Sequence, residues 1–190
     1  MILTGEKIKQ EVAKRRIIID PFDENRIEPN SYGFRLAGEL MIYQCSGALD
    51  LRNPSCYERF KIPPGGYRLE PNRFYLSSTL EILGSNFYAK TLHANRSLAT
   101  LGMWIHFSAP LGHTGSIIPW TLELLVTHPI IIYPYMQVGK TAFWENAGAI
   151  VNYNGRYKGS DSVIASRMYQ DDFNNAGPYV PWPADTSQDF

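Results

Sequence analysis

Short apolar segments, each followed by glycine, proline or asparagine, set the strongest limit on the fold of this chain. Segments rich in isoleucine, tyrosine, phenylalanine, threonine and valine recur at spacings of about ten residues. Examples are IIID (17–20), SYGFRL (31–36), RFYLSSTLEIL (73–83) and FYAKTLHAN (87–95). Strands separated by such turn signals predict a mostly-β fold, either a sandwich or a barrel. The thirteen prolines also suit this fold better than a helical one.

One helix is expected near the start of the chain. Thr4 is a suitable N-cap, and Ile8 and Val12 lie four residues apart on the following turns. The basic run 14–16 falls where the helix would end, and the helix dipole favours cations there.

The charge balance, the N-terminal sequence and the cysteine content indicate which partners and which location are expected for the chain. Eighteen basic and eighteen acidic residues cancel, so there is no global attraction to nucleic acid or to anionic membranes. The start of the chain is too charged for a secretory signal, and the apolar run 129–134 is too short to cross a bilayer. We therefore expect a cytoplasmic protein in which Cys45 and Cys56 are unpaired thiols.

Glu123 is the most informative candidate for chemistry. It is the one acidic residue between Glu81 and Glu145, and it lies in the strand-like run SIIPWTLELLV. Alternation places it on one face with Thr121 and Leu125, opposite the apolar neighbours. Such a glutamate is either solvent-exposed, paired, or desolvated enough to act as a general acid/base. Periodicity alone leaves these alternatives open.

The four histidines also fall in this window, at 93, 106, 113 and 128. None has an HxH or HExxH spacing, so a metal site is not predicted. His113 stands out because it lies ten residues before Glu123, in the turn GHTG.

Two groups of cations and hydroxyls could hold phosphate. Asn95, Arg96 and Ser97 follow one predicted strand, where an arginine beside free amides can bind an anion. A second group lies near the end of the chain, in RYKGSD (156–161) and VIASRM (163–168). Solvated loops remain the alternative for both groups.

The order of these fragments resembles the deoxycytidine triphosphate deaminase family, relatives of the trimeric dUTPases, over residues 1–170. The segments that carry the resemblance are MILTGEKIKQEV, IIIDPFDENRIEPNSYGFRL, PNRFYLSSTLEIL, HANRSLATLGMWIHFSA, TGSIIPWTLEL, YPYMQVGKTAF and RYKGSDSVIASRM. The resemblance implies a dUTPase-like distorted jelly-roll β-barrel with a short N-terminal helix, assembled as a homotrimer with active sites between subunits.

The resemblance also implies a chemistry. Glu123 would activate water for attack at C4 of cytosine, Mg²⁺ would accompany the triphosphate, and no metal would act at the base. His113 is assigned with Glu123 to catalysis. The residues assigned to substrate binding are Asn95, Arg96, Ser97, Thr100, Ala109, Tyr157, Lys158, Ser160 and Arg167.

Several positions depart from the family pattern. The first serine of the family's Ser-Ser pair is Arg96, and the arginine before "L-G" is Thr100. The aspartate ten residues before the glutamate is His113, a Tyr-Asp pair reads Tyr32-Gly33, and the tail glutamine falls at Ser160. Three hypotheses follow: deamination of dCTP or a related, possibly modified, cytosine nucleotide; a non-catalytic pyrimidine-nucleotide-binding protein; or a phosphohydrolase like the dUTPases.

The final segment, 171–190, is polar and rich in proline. We expect either disorder or a lid that docks through Tyr179, Trp182 and Phe190.

Overall fold

The computed structural model describes residues 1–45, 47–107 and 109–172. Two α-helices lie in this part of the chain, α1 (Gly5–Ala13) and α2 (Arg96–Thr100). The strands are β1 (Ile18–Asp20), β2 (Ile27–Glu28), β3 (Ser31–Arg35), β4 (Glu39–Tyr43), β5 (Tyr57–Lys61), β6 (Tyr67–Leu69), β7 (Tyr75–Gly84), β8 (Tyr88–Ala94), β9 (Met103–Trp104), β10 (Leu111–Gly112), β11 (Ile118–Val126), β12 (Ile130–Ile132) and β13 (Gln137–Glu145). Short 3₁₀ helices span Glu24–Arg26 and Met168–Gln170.

The strands form two main antiparallel sheets and one small pair. The first sheet has the order β5-β4-β7-β11-β9, with β1 beside β7. The second has the order β10-β8-β13-β3-β2, and β12 pairs with β6. The mostly-β prediction is therefore confirmed. The strands of the described segments do not close into one barrel, because β5, β9, β10 and β2 end the two sheet orders. The homotrimer stays a prediction.

The N-terminal helix is as predicted. The Thr4 side chain accepts a 3.3 Å hydrogen bond from the Lys7 amide, which caps the first turn. Ile8 is fully buried in the main core. The basic run begins at the C-cap residue Lys14, so these cations follow the helix instead of forming its last turn.

One apolar core joins both main sheets to α1. Its buried members include residues from α1, β3, β11 and β13, among them Ile8, Phe34, Leu122 and Phe143. This core is what holds β11 in place, since Leu122 and Leu124 on its inner face are both fully buried.

Three other expectations concern the ends and surface of the chain. Neither helix in the described residues has the length and apolar character needed to span a bilayer. Cys45 and Cys56 are both exposed and free, as expected. The division into 1–170 and 171–190 stays a prediction, because the tail beyond residue 172, with Tyr179, Trp182 and Phe190, lies outside the described residues.

Candidate active site

Glu123 lies at the middle of β11, on the face of the first sheet that points away from the core. Its neighbours Leu122 and Leu124 are buried, whereas Thr121, Glu123 and Leu125 are each half-buried. The alternation read from the sequence is thus confirmed, and it places a carboxylate on what we call the outer face of the first sheet.

One oxygen of this carboxylate is fixed by the backbone. The amide of Phe107 donates a 2.7 Å hydrogen bond to Oε2 of Glu123, and the Glu123 amide donates 2.8 Å to the carbonyl of Ile105. No cation within the described residues comes within ion-pair distance of Glu123. A half-buried carboxylate that is oriented but has no counter-ion can accept a proton from water and donate it again.

The strands beside β11 extend this face. Glu123 is the register partner of Leu76 on β7, and Leu76 is in turn the partner of Met41 on β4. Met41 and Leu76 form a small apolar cluster with Val163, against which Tyr43 and Ala165 pack. The C-terminal segment 162–166 therefore lies across the outer face, next to Glu123.

Side chains of three strands hold the backbone of this segment. The Ile164 amide donates to Oγ1 of Thr121 at 3.2 Å, and the Ser166 amide donates to Oη of Tyr43 at 2.8 Å. Arg59 on β5 donates 2.9 Å to the carbonyl of Val163. These bonds replace strand pairing and fix the segment to the sheet.

Arg167 follows directly, and its contacts are with the preceding loop, at Arg156 and Tyr157. Its amide donates to Oη of Tyr157 at 3.2 Å, its Nη1 donates 2.6 Å to the carbonyl of Arg156, and its guanidinium lies 6.0 Å from the Tyr157 ring centre. Ser160 donates 2.7 Å to the Tyr157 carbonyl, and exposed Lys158 donates 3.1 Å to Asn154. The structure thus brings Tyr157, Ser160 and Arg167 together.

His113 contacts the loop that precedes these residues. Its ring stacks on Tyr153, with ring centres 5.7 Å apart and planes at 9°. The Tyr153 hydroxyl accepts a 3.3 Å hydrogen bond from the Tyr157 amide. His113 is exposed, and no hydrogen bond or ring contact among the described residues joins it to Glu123. Its catalytic assignment stays a prediction.

The first candidate phosphate-binding group, Asn95, Arg96 and Ser97, lies at the start of α2, which packs against β9 beside β11. Asn95 precedes α2, and its side chain donates 3.3 Å to the carbonyl of Gln137. Arg96, Ser97 and Thr100 are exposed on α2, where Thr100 Oγ1 donates 3.0 Å to the Ser97 carbonyl. Exposed Ala109 lies between Phe107 and β10. No hydrogen bond within the described residues links α2 to Glu123 or to the segment 162–167.

Two other histidines have structural partners. His106 donates 2.8 Å from Nε2 to the Leu92 carbonyl. Burial lowers the pKa of His93, and the nearby charges of His106 and Lys140 act in the same direction.

No cluster of three or more metal-ligating side chains is found in the part of the chain that the structure describes.

One departure from the family pattern has a steric explanation. A Cβ at Gly33 would lie 2.3 Å from Nε2 of Gln137, and the Gln137 side chain is held in turn by a 3.0 Å bond from Arg26. The space that a side chain at position 33 would occupy is therefore filled by a residue from β13.

Sequence reasoning missed Tyr43, Arg59 and the Phe107 amide. Nothing local marks them, since each acts on a partner 16 or more residues away. Thr121 was placed on the correct face, but its partner in the C-terminal segment was not foreseen. A tyrosine at the end of a strand gives no sequence signal that distinguishes it from a packing residue.

The fold and this site define a class: a mostly-β domain in which strand β11 presents an oriented carboxylate without an ion-pair partner beneath a C-terminal segment. A family model described as dCTP deaminase-like matches residues 2–146. The chain belongs to the dCTP deaminase-like family.

Curated relatives agree with that assignment. The chain is 34% identical over 172 residues to a "dCTP deaminase, dUMP-forming" of Cytophaga hutchinsonii, covering 90% of this chain and 98% of the relative. It is 37% identical over the same length to the protein of that name from Clostridium botulinum strain Alaska E43, with the same shares covered. A "dCTP deaminase" of Rhodopirellula baltica is 35% identical, with 90% of this chain and 86% of that protein covered.

A solved structure supports the fold. The 2'-deoxycytidine 5'-triphosphate deaminase from Agrobacterium tumefaciens superimposes with a TM-score of 0.60 and 17% identity. The match covers 75% of this chain and 47% of that one, so this chain spans about half of the solved structure.

Proposed function

We propose that the chain hydrolytically deaminates dCTP, with Glu123 as general acid/base. The observation that carries this proposal is the unpaired Glu123 carboxylate, held at 2.7 Å by the Phe107 amide within the span that the family model matches. The names of the curated relatives support the substrate.

The reaction needs one proton carrier. A water oxygen bonds to C4 of cytosine and the C4–N4 bond breaks, so that dCTP and water give dUTP and ammonia. Glu123 takes the proton from the attacking water and passes it to the departing amine. The fixed Oε2 leaves Oε1 as the oxygen that faces the water.

The remaining assigned residues would bind the nucleotide. Arg96, Ser97 and Arg167 would hold phosphates, while Tyr157 and Lys158 would close the site. The other assigned contacts are Asn95, Thr100, Ala109 and Ser160. His113 would donate a hydrogen bond near the reacting water, in place of the family's aspartate.

Assembly would explain why these groups are separated within one chain. No hydrogen bond among the described residues joins α2 to Glu123, which lies under the segment 162–166. A homotrimer with sites between subunits would bring α2 of one copy to Glu123 of another.

Mg²⁺ would enter with the triphosphate, whose oxygens are the ligands that this ion prefers. Its chemistry there would be to neutralise phosphate charge. Arg96 and Arg167 would share that role at the phosphate oxygens.

A second candidate adds a step. Relatives from Cytophaga and Clostridium are named dUMP-forming, which supports a further hydrolysis releasing diphosphate. Two waters would then convert dCTP to dUMP, diphosphate and ammonia.

The non-catalytic alternative has a different basis, since Thr100 occupies the position of an arginine in the family pattern and its hydroxyl is turned to the Ser97 carbonyl.

The test is ammonia release from dCTP with Mg²⁺, with the products separated by chromatography. Wild type is compared with Glu123→Gln and with Glu58→Gln, an exposed carboxylate on β5. We expect Glu123→Gln to lose at least about a hundredfold in rate and Glu58→Gln to match wild type. The product, dUTP or dUMP, separates the two catalytic candidates. Absence of ammonia from wild type, with pyrimidine nucleotides still raising the melting temperature, would establish the binding protein instead.

A further inference from the structure

The backbone of the C-terminal segment is attached to the outer face at regular points. Its amides at Ile164 and Ser166, two residues apart, bond to the hydroxyls of Thr121 and Tyr43. Because successive amides of an extended chain point in opposite directions, alternate amides face the sheet together. Two hydroxyls from β11 and β4 therefore set the register of this segment.

The position of Arg167 depends on that register. Arg167 is the residue after Ser166, and its side chain and amide interact with Arg156 and Tyr157 of the preceding loop. The guanidinium is therefore positioned by two sets of contacts: those of the segment 162–166 with the sheet, and those of the loop 153–157, where the Tyr153 amide donates 2.8 Å to the Thr114 carbonyl. Among the hydrogen bonds between the segment 162–166 and the sheet, the bond from Ser166 to Tyr43, at 2.8 Å, is the nearest in sequence to Arg167.

Tyr43 also lies in the electrostatic environment of the site. Burial raises the pKa of Tyr43, the hydrogen bond from Ser166 opposes this, and the charges of Tyr157 and Glu123 add to the rise. The phenol therefore stays neutral at physiological pH.

We propose that Tyr43 is a positioning residue, whose phenol oxygen holds the Ser166 amide and so fixes the backbone of Arg167 at the outer face of the sheet that carries Glu123. Thr121 is the second point of attachment. The inference rests on the proposed function, in which Arg167 holds a phosphate of dCTP. It predicts that Tyr43 affects substrate binding and not the chemical step.

The chain offers a matched control for Tyr43. Tyr57 is its register partner on the neighbouring strand β5, and it is 48% exposed. Tyr43→Phe and Tyr57→Phe each remove one hydroxyl from adjacent positions of the same sheet. Only Tyr43→Phe removes a hydroxyl that accepts a hydrogen bond from an amide of the segment 162–166.

The first measurement is hydrogen exchange of the full-length protein without nucleotide. In Tyr43→Phe, we expect amides of residues 163–168 to exchange about fivefold faster, with the rest of the sheet unchanged. Tyr57→Phe keeps wild-type exchange in this segment. Thr121→Val, which loses the hydroxyl, reproduces the faster exchange, and Thr121→Ser, which keeps it, does not.

The second measurement is steady-state deamination of dCTP. We expect Tyr43→Phe to raise KM about three- to tenfold while kcat changes less than twofold, whereas Tyr57→Phe changes neither. A merely structural defect would lower the active fraction and hence kcat at constant KM.

The outcomes separate this inference from the proposed function. Absence of ammonia from wild type would refute the deaminase, and dCTP affinity by calorimetry would then decide the role of Tyr43 in place of KM. Wild-type exchange at 163–168 in Tyr43→Phe would overturn the inference, whatever Thr121→Val shows. So would faster exchange with unchanged KM or affinity, or a fall in kcat at unchanged KM.

Discussion

The amide of Phe107 bonds to Oε2 of Glu123 at 2.7 Å, although the two residues are 16 positions apart in the sequence. This bond orients the carboxylate with a group that no side-chain substitution at position 107 removes, except proline. The carboxylate position is consequently a property of the backbone path between β9 and β10.

Shortening the side chain tests whether that position matters. Glu123→Asp keeps the charge but withdraws the carboxylate by one methylene, so the Phe107 bond and the reach to substrate cannot both be kept. We expect kcat for ammonia release to fall at least about tenfold, with dCTP affinity within about threefold of wild type. Equal kcat in the aspartate variant would show that the orientation by Phe107 has no catalytic role.

Lys90 provides a prediction about pH. Its side chain is 1% exposed, its Nζ donates 2.6 Å to the Ser116 carbonyl, and it lies 4.8 Å from the Trp120 ring centre. Burial lowers the pKa of Lys90 to about 7. Between about 7 and the unfolded value of 10.5, the unfolded chain binds more protons than the folded one, so stability rises with pH in this window.

Chemical denaturation at pH 7 and pH 9 measures this effect. We expect the free energy of unfolding of wild type to gain about 2 kcal/mol from Lys90 over that interval. Lys90→Met, of similar length and without charge, should lack this gain. Identical pH dependence in the two proteins would mean that the buried amine titrates as it does in the unfolded chain.

Gly33 and Gln137 compete for the same space. A Cβ at position 33 would lie 2.3 Å from Nε2 of Gln137, so Gly33→Ala should cost about 1–2 kcal/mol of stability. In the Gln137→Ala background the obstruction is gone, and the same change should cost less than about 0.5 kcal/mol. A double-mutant cycle in urea measures the coupling, and additive effects would contradict the steric explanation.

Local signals in the sequence were enough to predict α1 and the orientation of the Glu123 side chain. Thr4 marks the start of α1, and the alternation around Glu123 correctly placed its side chain on the face away from Leu122 and Leu124. Both are short-range properties of the chain, set by capping and by the pleat of a strand.

The rest depends on contacts between distant parts of the chain. MWIHFSA has the composition of a strand, but among the described residues the strand β9 spans just Met103–Trp104, which pairs with β11. The sequence of the segment 162–166 shows no alternation of apolar and polar residues. The segment is held by the side chains of Thr121 and Tyr43 and not by a strand ladder. Strand order and such side-chain contacts are tertiary properties, so no window of local sequence contains them.

Glu11 shows how α1 is fastened to β8, and it gives the last prediction. This fully buried carboxylate lies 3.0 Å from both Lys7 and Arg16 and accepts a 2.8 Å hydrogen bond from Tyr88. Burial by itself would raise the pKa of Glu11, but the hydrogen bonds of Lys7 and Tyr88 and the charge of Arg16 outweigh it and lower the pKa below 4.5.

A carboxylate with a depressed pKa in the folded state stabilises the protein above its unfolded pKa. That contribution is lost as pH falls below about 4.5 and through the folded value. Glu11→Gln should therefore cost about 1–3 kcal/mol at pH 7, and its deficit against wild type should shrink steadily between pH 5 and pH 3. Glu6→Gln, an exposed carboxylate on the same helix, should cost at most about 0.5 kcal/mol. Urea unfolding across this pH range measures both variants, and a deficit for Glu11→Gln that persists undiminished at pH 3 would show that the glutamate acts through packing and not through its charge.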